Sequence, residues 1–134
     1  MTKVKIGKKE YKIYYAMQPT VQSGILKTLA SLESDKEFGI ESIGELLTTM
    51  TELLLVGLQK FHSDEFGYNY MTGEGKDEAM SKVFSLMDDM AADESDDADY
   101  FVLYNTLQNE MLENGFFAKL FRQEKQKAEK KAEQ

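Results

Sequence analysis

The chain has 134 residues, 42% of them apolar and 30% charged, with a formal net charge of −8, no cysteine and one histidine. That length is sufficient for one domain that buries roughly two thirds of the surface its unfolded chain exposes. The missing cysteines exclude a disulfide framework, thiolate metal sites and a cysteine nucleophile, and a lone His62 leaves little for histidine-based catalysis or metal clusters.

Elements in chain order begin with a β-hairpin over about residues 3–16. Val4 and Ile6 alternate with Lys3 and Lys5, and Tyr11, Ile13 and Tyr15 alternate with Glu10, Lys12 and Tyr14, around a turn at Gly7-Lys8-Lys9-Glu10. Pro19 then sits where a helix can begin, with Thr20 as a candidate cap. Val21, Ile25, Leu29 and Leu32 come next at helical spacing, with Leu26 widening the stripe, so the pattern predicts one helix ended by a loop read at Ser31, Glu33, Ser34 and Asp35.

The strongest helical pattern runs from about Ile40 to His62. Ile43, Leu46, Leu47, Met50, Leu53, Leu54, Leu58 and Phe61 keep the i, i+3, i+4, i+7 spacing, and Leu55 and Val56 widen the apolar arc. This is the expected central core helix. Gly44 and Gly57 each cost about 1 kcal/mol against alanine in such a helix, and close helix approach is the expected compensation, with a break near Gly57 as the alternative. His62 is expected to end the helix as a cation that favours its dipole.

Residues 63–75 read as an aromatic loop in which Phe66, Tyr68 and Tyr70 alternate as in a short extended segment. Glu74, Asp77 and Glu78 mark the next helix start. Its apolar stripe is Ala79, Met80, Val83, Phe84 and Met87, and it ends near Met90. Asp93-Glu94-Ser95-Asp96-Asp97 predicts another helix entrance capped by Ser95 or Asp96, with Tyr100, Tyr104, Leu107 and Met111 on one face. Asn114-Gly115 is a stop signal. A last helix is expected from Phe116, losing its large apolar residues after Phe121. The fold class is therefore mainly α: an N-terminal hairpin and about five helices packed around a long central one, α+β by strict count. Residues 1–121 form the expected globular unit, with a helical body over 19–121, and 122–134 a charged, frayed tail.

Three constellations invite chemical readings that the sequence does not sustain. The acids Asp88, Asp89, Asp93, Glu94, Asp96, Asp97 and Asp99 suggest calcium, but an EF-hand loop starting at Asp93 would place Ala98 where glycine is needed and Tyr104 where glutamate is needed. His62-Ser63-Asp64-Glu65 holds a base, a hydroxyl and two carboxylates, yet adjacency in sequence supplies neither convergence nor an oxyanion site. Gly73-Glu74-Gly75-Lys76 lacks the spacing of a phosphate loop, and its acids repel phosphate. No catalytic residue, metal or cofactor is expected.

Charge divides the chain into a basic start (+4 over 1–36), an acidic middle (−15 over 37–113) and a basic end (+3 over 114–134). An acidic body disfavours nucleic acid as a partner. The apolar run Leu53 to Val56 falls far short of the ~20 residues of a membrane span, and the first residues show no signal-peptide pattern, so a cytoplasmic protein is expected. Phe116, Phe117, Leu120 and Phe121 crowd four large apolar side chains before a polar tail, which makes them the candidate partner-binding residues. The methionines at apolar helix positions are read as core first and adaptable binding surface second.

Two strings carry a family resemblance: Leu53-Leu54-Leu55-Val56-Gly57-Leu58 continuing through Gln59-Lys60-Phe61-His62 to Gly67-Tyr68-Asn69-Tyr70, and Leu103-Tyr104-Asn105-Thr106-Leu107-Gln108 on to Glu113-Asn114-Gly115-Phe116-Phe117. With the opening hairpin pattern, the chain resembles tail assembly chaperones of long-tailed phages infecting Gram-positive bacteria, to about Phe121. The resemblance implies a small helical protein of the host cytoplasm that self-associates, coats the tape measure protein, helps recruit tail tube subunits and is absent from the mature virion. It also implies a second, longer product made by ribosomal frameshift, with Lys130-Lys131 as a candidate slippage site. The rival reading is an acidic mimic of nucleic acid that occupies a DNA-binding protein, whose binding would collapse with salt where apolar client binding would persist.

Overall fold

The alternation read over residues 3–16 folds into an antiparallel pair that ends at Ile13, so residues 14–16 lie beyond the strands. Strands β1 (Thr2–Ile6) and β2 (Lys9–Ile13) align Val4 with Tyr11 and Ile6 with Lys9 across a Gly7-Lys8 turn in which Gly7 takes φ 64°. The computed structural model describes the backbone of residues 1–34, 40–93 and 99–114, and the side chains of all these except 32–34 and 40–41. Ile13 already pairs with Thr2, and the chain beyond it turns to a helix instead: the Tyr14 N–H donates to the Gly57 carbonyl at 3.1 Å.

The single helix expected from Pro19 is two: α1 (Met17–Gln22) and α2 (Ile25–Ser34), and α2 runs on through Ser31, Glu33 and Ser34, where the sequence predicts a loop. Gly24 takes φ 82°, a left-handed conformation that ends α1, and the Ser23 hydroxyl accepts from the Ile25 N–H at 3.3 Å to begin α2. Pro19 is the third residue of α1, still in the turn whose N–H groups lack helical partners, and Thr20 is buried rather than capping. Val21, expected inside, is exposed.

Helix α3 (Ile40–Leu58) is the central element. Every residue from Thr49 to Gln59 is buried, as the wide apolar arc predicts, and α2, α5, α6 and β2 pack around it. It stops at Leu58, short of His62. The Gln59 side chain leaves the helical path to donate to the carbonyls of Leu55 (3.1 Å) and Phe66 (2.9 Å), and this bracket turns the chain into the short helix α4 (Ser63–Phe66). The expected extended segment at Phe66 is thus helical, and Phe66 is buried edge-on against Tyr11. Phe61, carried outside the helix, is exposed against Tyr14, as is Ile43 near the other end of α3.

Helix α5 (Lys76–Ala92) buries Ala79, Val83, Met87 and Met90, while Phe84 falls outside that stripe. Helix α6 (Tyr100–Glu113) is capped by Asp99, whose carboxylate accepts from the N–H groups of Phe101 (2.8 Å) and Val102 (3.4 Å), while the expected caps Ser95 and Asp96 lie outside the described residues. Leu103, Leu107 and Met111 bury its inner face, and the Tyr100 hydroxyl donates to the Met87 carbonyl at 2.6 Å. The fold is mostly helical, a two-stranded hairpin and then about six helices. Among the described residues no helix is long and apolar enough to cross a membrane. The helix expected from Phe116 and the tail at 122–134 lie outside the described residues.

Gly57 is required by contact and Gly44 is not. A methyl group at position 57 would stand 2.8 Å from Ile13 Cγ2 and 3.0 Å from the Tyr15 ring, so the close approach is to the strand end rather than to another helix; nothing lies within 4 Å of such a group at position 44. Gly57→Ala therefore lowers stability by about 1–3 kcal/mol through overpacking despite better helix propensity. Gly44→Ala raises it by up to about 1 kcal/mol. Urea unfolding midpoints of the two variants should move in opposite directions.

Candidate binding site

Glu52 is the only charged residue between Thr49 and Gln59, in the most deeply buried stretch of α3. A carboxylate there requires a partner, and Lys76 provides it, with Nζ 2.8 Å from Oε1 and both side chains largely shielded. Lys76 is the first residue of α5, where the helix dipole disfavours a cation; the nearby carboxylate offsets that. Around this pair the facing sides of α3 and α5 open a cleft of about 500 Å3, lined by Thr48, Glu52, Lys76, Asp77, Met80, Ser81 and Phe84. Phe84 is 40% exposed and forms an apolar wall, and Met80 is half-buried beside it. The Tyr68 phenol is pushed up to about 12, by burial first, then by the Glu52 carboxylate and by Tyr70.

A second apolar surface lies on the outer side of α6. Phe101 (65% exposed), Val102 (54%) and Leu112 (42%) face away from the core that Leu103 and Leu107 enter. Phe101 and Leu112 are eleven residues apart, three helical turns, and so share a face, as two apolar patches separated by Asn105, Gln108 and Asn109.

The remaining sequence candidates find structural places. His62 does not end α3 as a cation: its Nε2 accepts from the Lys12 N–H at 2.9 Å, which requires a lone pair on that nitrogen, and its ring meets Tyr11 edge-on. Glu65 pairs with Lys9 at 3.1 Å on the surface. The Lys9 ammonium is raised above its ordinary range by that hydrogen bond. Gly75 precedes α5 in a left-handed conformation, and its neighbour Lys76 faces Glu52. Glu110 is buried in α6, 2.6 Å from the Met1 α-ammonium, and also accepts from Asn114 Nδ2 at 2.7 Å. Among the described residues no three His, Asp or Glu side chains gather as a metal-ligating group. Phe116, Phe117, Leu120 and Phe121 lie outside the described residues.

The cleft itself is not evident from sequence, although two signals point to it: a glutamate interrupting an otherwise apolar helical run, and a lysine at a helix start crowded with acids. No protein-family model, curated protein or solved structure matches the chain.

Tyr68 and the fully buried Tyr15 give the protein an alkaline limit. Tyr15 is pushed well above the ordinary phenol value by burial, then by Glu110. A folded-state pKa above the unfolded one means that stability is intact below about pH 10 and falls as the unfolded phenols ionise while the folded ones do not. Urea midpoints should therefore hold up to about pH 10 and drop through pH 12. Tyr68→Phe should make that drop shallower.

Proposed function

We propose that this protein is a non-catalytic tail assembly chaperone of a long-tailed phage, which self-associates in the host cytoplasm, sheathes the apolar helices of the tape measure protein, helps recruit tail tube subunits and is left behind when the virion is complete. The observation that carries the reading is the outer face of α6, where Phe101 and Val102 in the first turn and Leu112 in the last are exposed apolar side chains on an acidic protein, with Asn105, Gln108 and Asn109 between them. An amphipathic helix of a client meets these two patches through its own apolar stripe, and the acidic charge keeps the loaded complex soluble. The two strings that resemble the chaperone family support it further. One, residues 53–70, carries Gly57, Gln59, His62 and Phe66, the residues that join α3 to the hairpin and α4. The other, from residue 103, begins inside α6.

Co-expression tests the reading. The wild-type chain should hold the tape measure protein in the soluble fraction and elute with it on sizing. Replacing Phe101, Val102 and Leu112 together by serine should weaken the complex by tenfold or more, since burying a single large apolar side chain is worth about 1.5–3 kcal/mol. The urea midpoint of the variant should stay near wild type. An insoluble tape measure protein, or no joint peak, would sink the assignment.

A further inference from the structure

The cleft between α3 and α5 combines an open apolar wall with exposed acids. Its one lining cation among the described residues, Lys76, is held by Glu52. Asp77 stands exposed at its lip. Helical spacing places two more exposed acids on the same sides: Glu45 one turn before Thr48 on α3, and Asp88 one turn after Phe84 on α5. Lys82 is turned elsewhere, its ammonium donating to the Glu65 carbonyl at 3.2 Å. A complementary occupant is therefore apolar on one side and basic on the other.

The chain contains such a segment. Phe116, Phe117, Leu120 and Phe121 recur at i, i+1, i+4 and i+5, the spacing of one helical stripe, and Lys119, Arg122, Lys125 and Lys127 are interleaved with them or lie just beyond. From residue 114 onward six basic residues stand against three acids, in contrast to the −15 of the preceding body.

The described end of the chain lies away from the cleft. Tyr15 packs against Gly57, and its hydroxyl donates to the Leu53 carbonyl at 2.8 Å, so Tyr15 marks one side of α3. Gly57 is five residues from Glu52 and nine from Thr48, which turns it about 140–180° away from the cleft. The last turn of α6 lies on the Tyr15 side, where Glu110 acts on the Tyr15 phenol and is held by the Met1 ammonium. Helix α6 and its C-cap Asn114 therefore end on the side of α3 away from the cleft.

We propose that the α3/α5 cleft is a self-association site that receives the 116–127 segment of a second copy of this chain, its apolar side against Met80 and Phe84 and its cations beside Glu45, Asp77 and Asp88. The contact is heterologous, since segment and cleft are different surfaces, so copies add either reciprocally as a closed pair or head to tail. It stands independently of the client reading, which rests on α6.

The full-length chain, which has no native cysteine, allows a direct test. Light scattering should show masses above the 15.3 kDa of one chain. Phe84→Glu in the cleft and Phe121→Glu in the segment should each raise the concentration needed for association at least tenfold, with urea midpoints unchanged. Mixing a Ser81→Cys chain with a Lys119→Cys chain under mild oxidation should give a covalent two-chain species. A Gln22→Cys chain on α1, mixed with the same Lys119→Cys partner, should give little. A monomer at every concentration, or association indifferent to both glutamate variants, overturns the proposal. So does a chain carrying both Ser81→Cys and Lys119→Cys that closes on itself at high dilution, which would place the segment on its own body. None of these results bears on tape measure binding by the α6 face.

Discussion

The absence of a side chain at position 57 governs how the sheet meets the helices. With only a hydrogen there, Ile13 and Tyr15 lie directly on α3, the Tyr14 N–H reaches the Gly57 carbonyl, and the Tyr15 hydroxyl reaches that of Leu53. These hydrogen bonds satisfy backbone and side-chain groups at a junction closed to water, where an unpaired polar group would be costly. The two-stranded hairpin is too small to be stable by itself. Its stability comes from this seam, reinforced by the His62 acceptor on Lys12 and by the edge contacts of Tyr11 with His62 and Phe66.

Most of the architecture is legible in the sequence because it rests on periodicity. The alternation over residues 3–13 and the long apolar arc around Leu53–Leu58 each define an element with a buried side, and both appear as expected. Periodicity misleads where a single polar residue decides the path. Ser23-Gly24 splits one apolar stripe into two helices, because glycine reaches a left-handed conformation and serine caps the second of them. Gln59 ends α3 by bonding backward and forward, which no hydrophobic pattern encodes. The position of His62 after a helix suggests a dipole contact, but a strand N–H fifty residues earlier determines its role.

Legibility of the binding surfaces divides in the same way. The spacing on α5 puts Phe84 in the apolar stripe, yet Val83 holds the core position and Phe84 is rotated to the wall of the cleft. One residue of offset on a helix is about 100°, enough to move an aromatic ring from core to surface. On α6, the spacing of Tyr100, Tyr104, Leu107 and Met111 identifies the inner face, and Phe101, Val102 and Leu112 are exposed because they lie off it. Surplus apolar residues beside a correctly placed stripe are thus the sequence trace of these surfaces. The acids of residues 88–99 are partly absorbed by ordinary structure, with Asp99 capping α6.

The Glu52–Lys76 pair also constrains how α5 can slide along α3. An axial offset of one turn, about 5.4 Å, would carry the ammonium beyond the carboxylate and strand a desolvated anion among Leu53, Leu55 and Val56. Methionine and leucine side chains alone tolerate several such alignments, because their contacts are non-directional. One ionic latch between two greasy helices therefore selects a single alignment, and with it the shape of the opening that the two helices share.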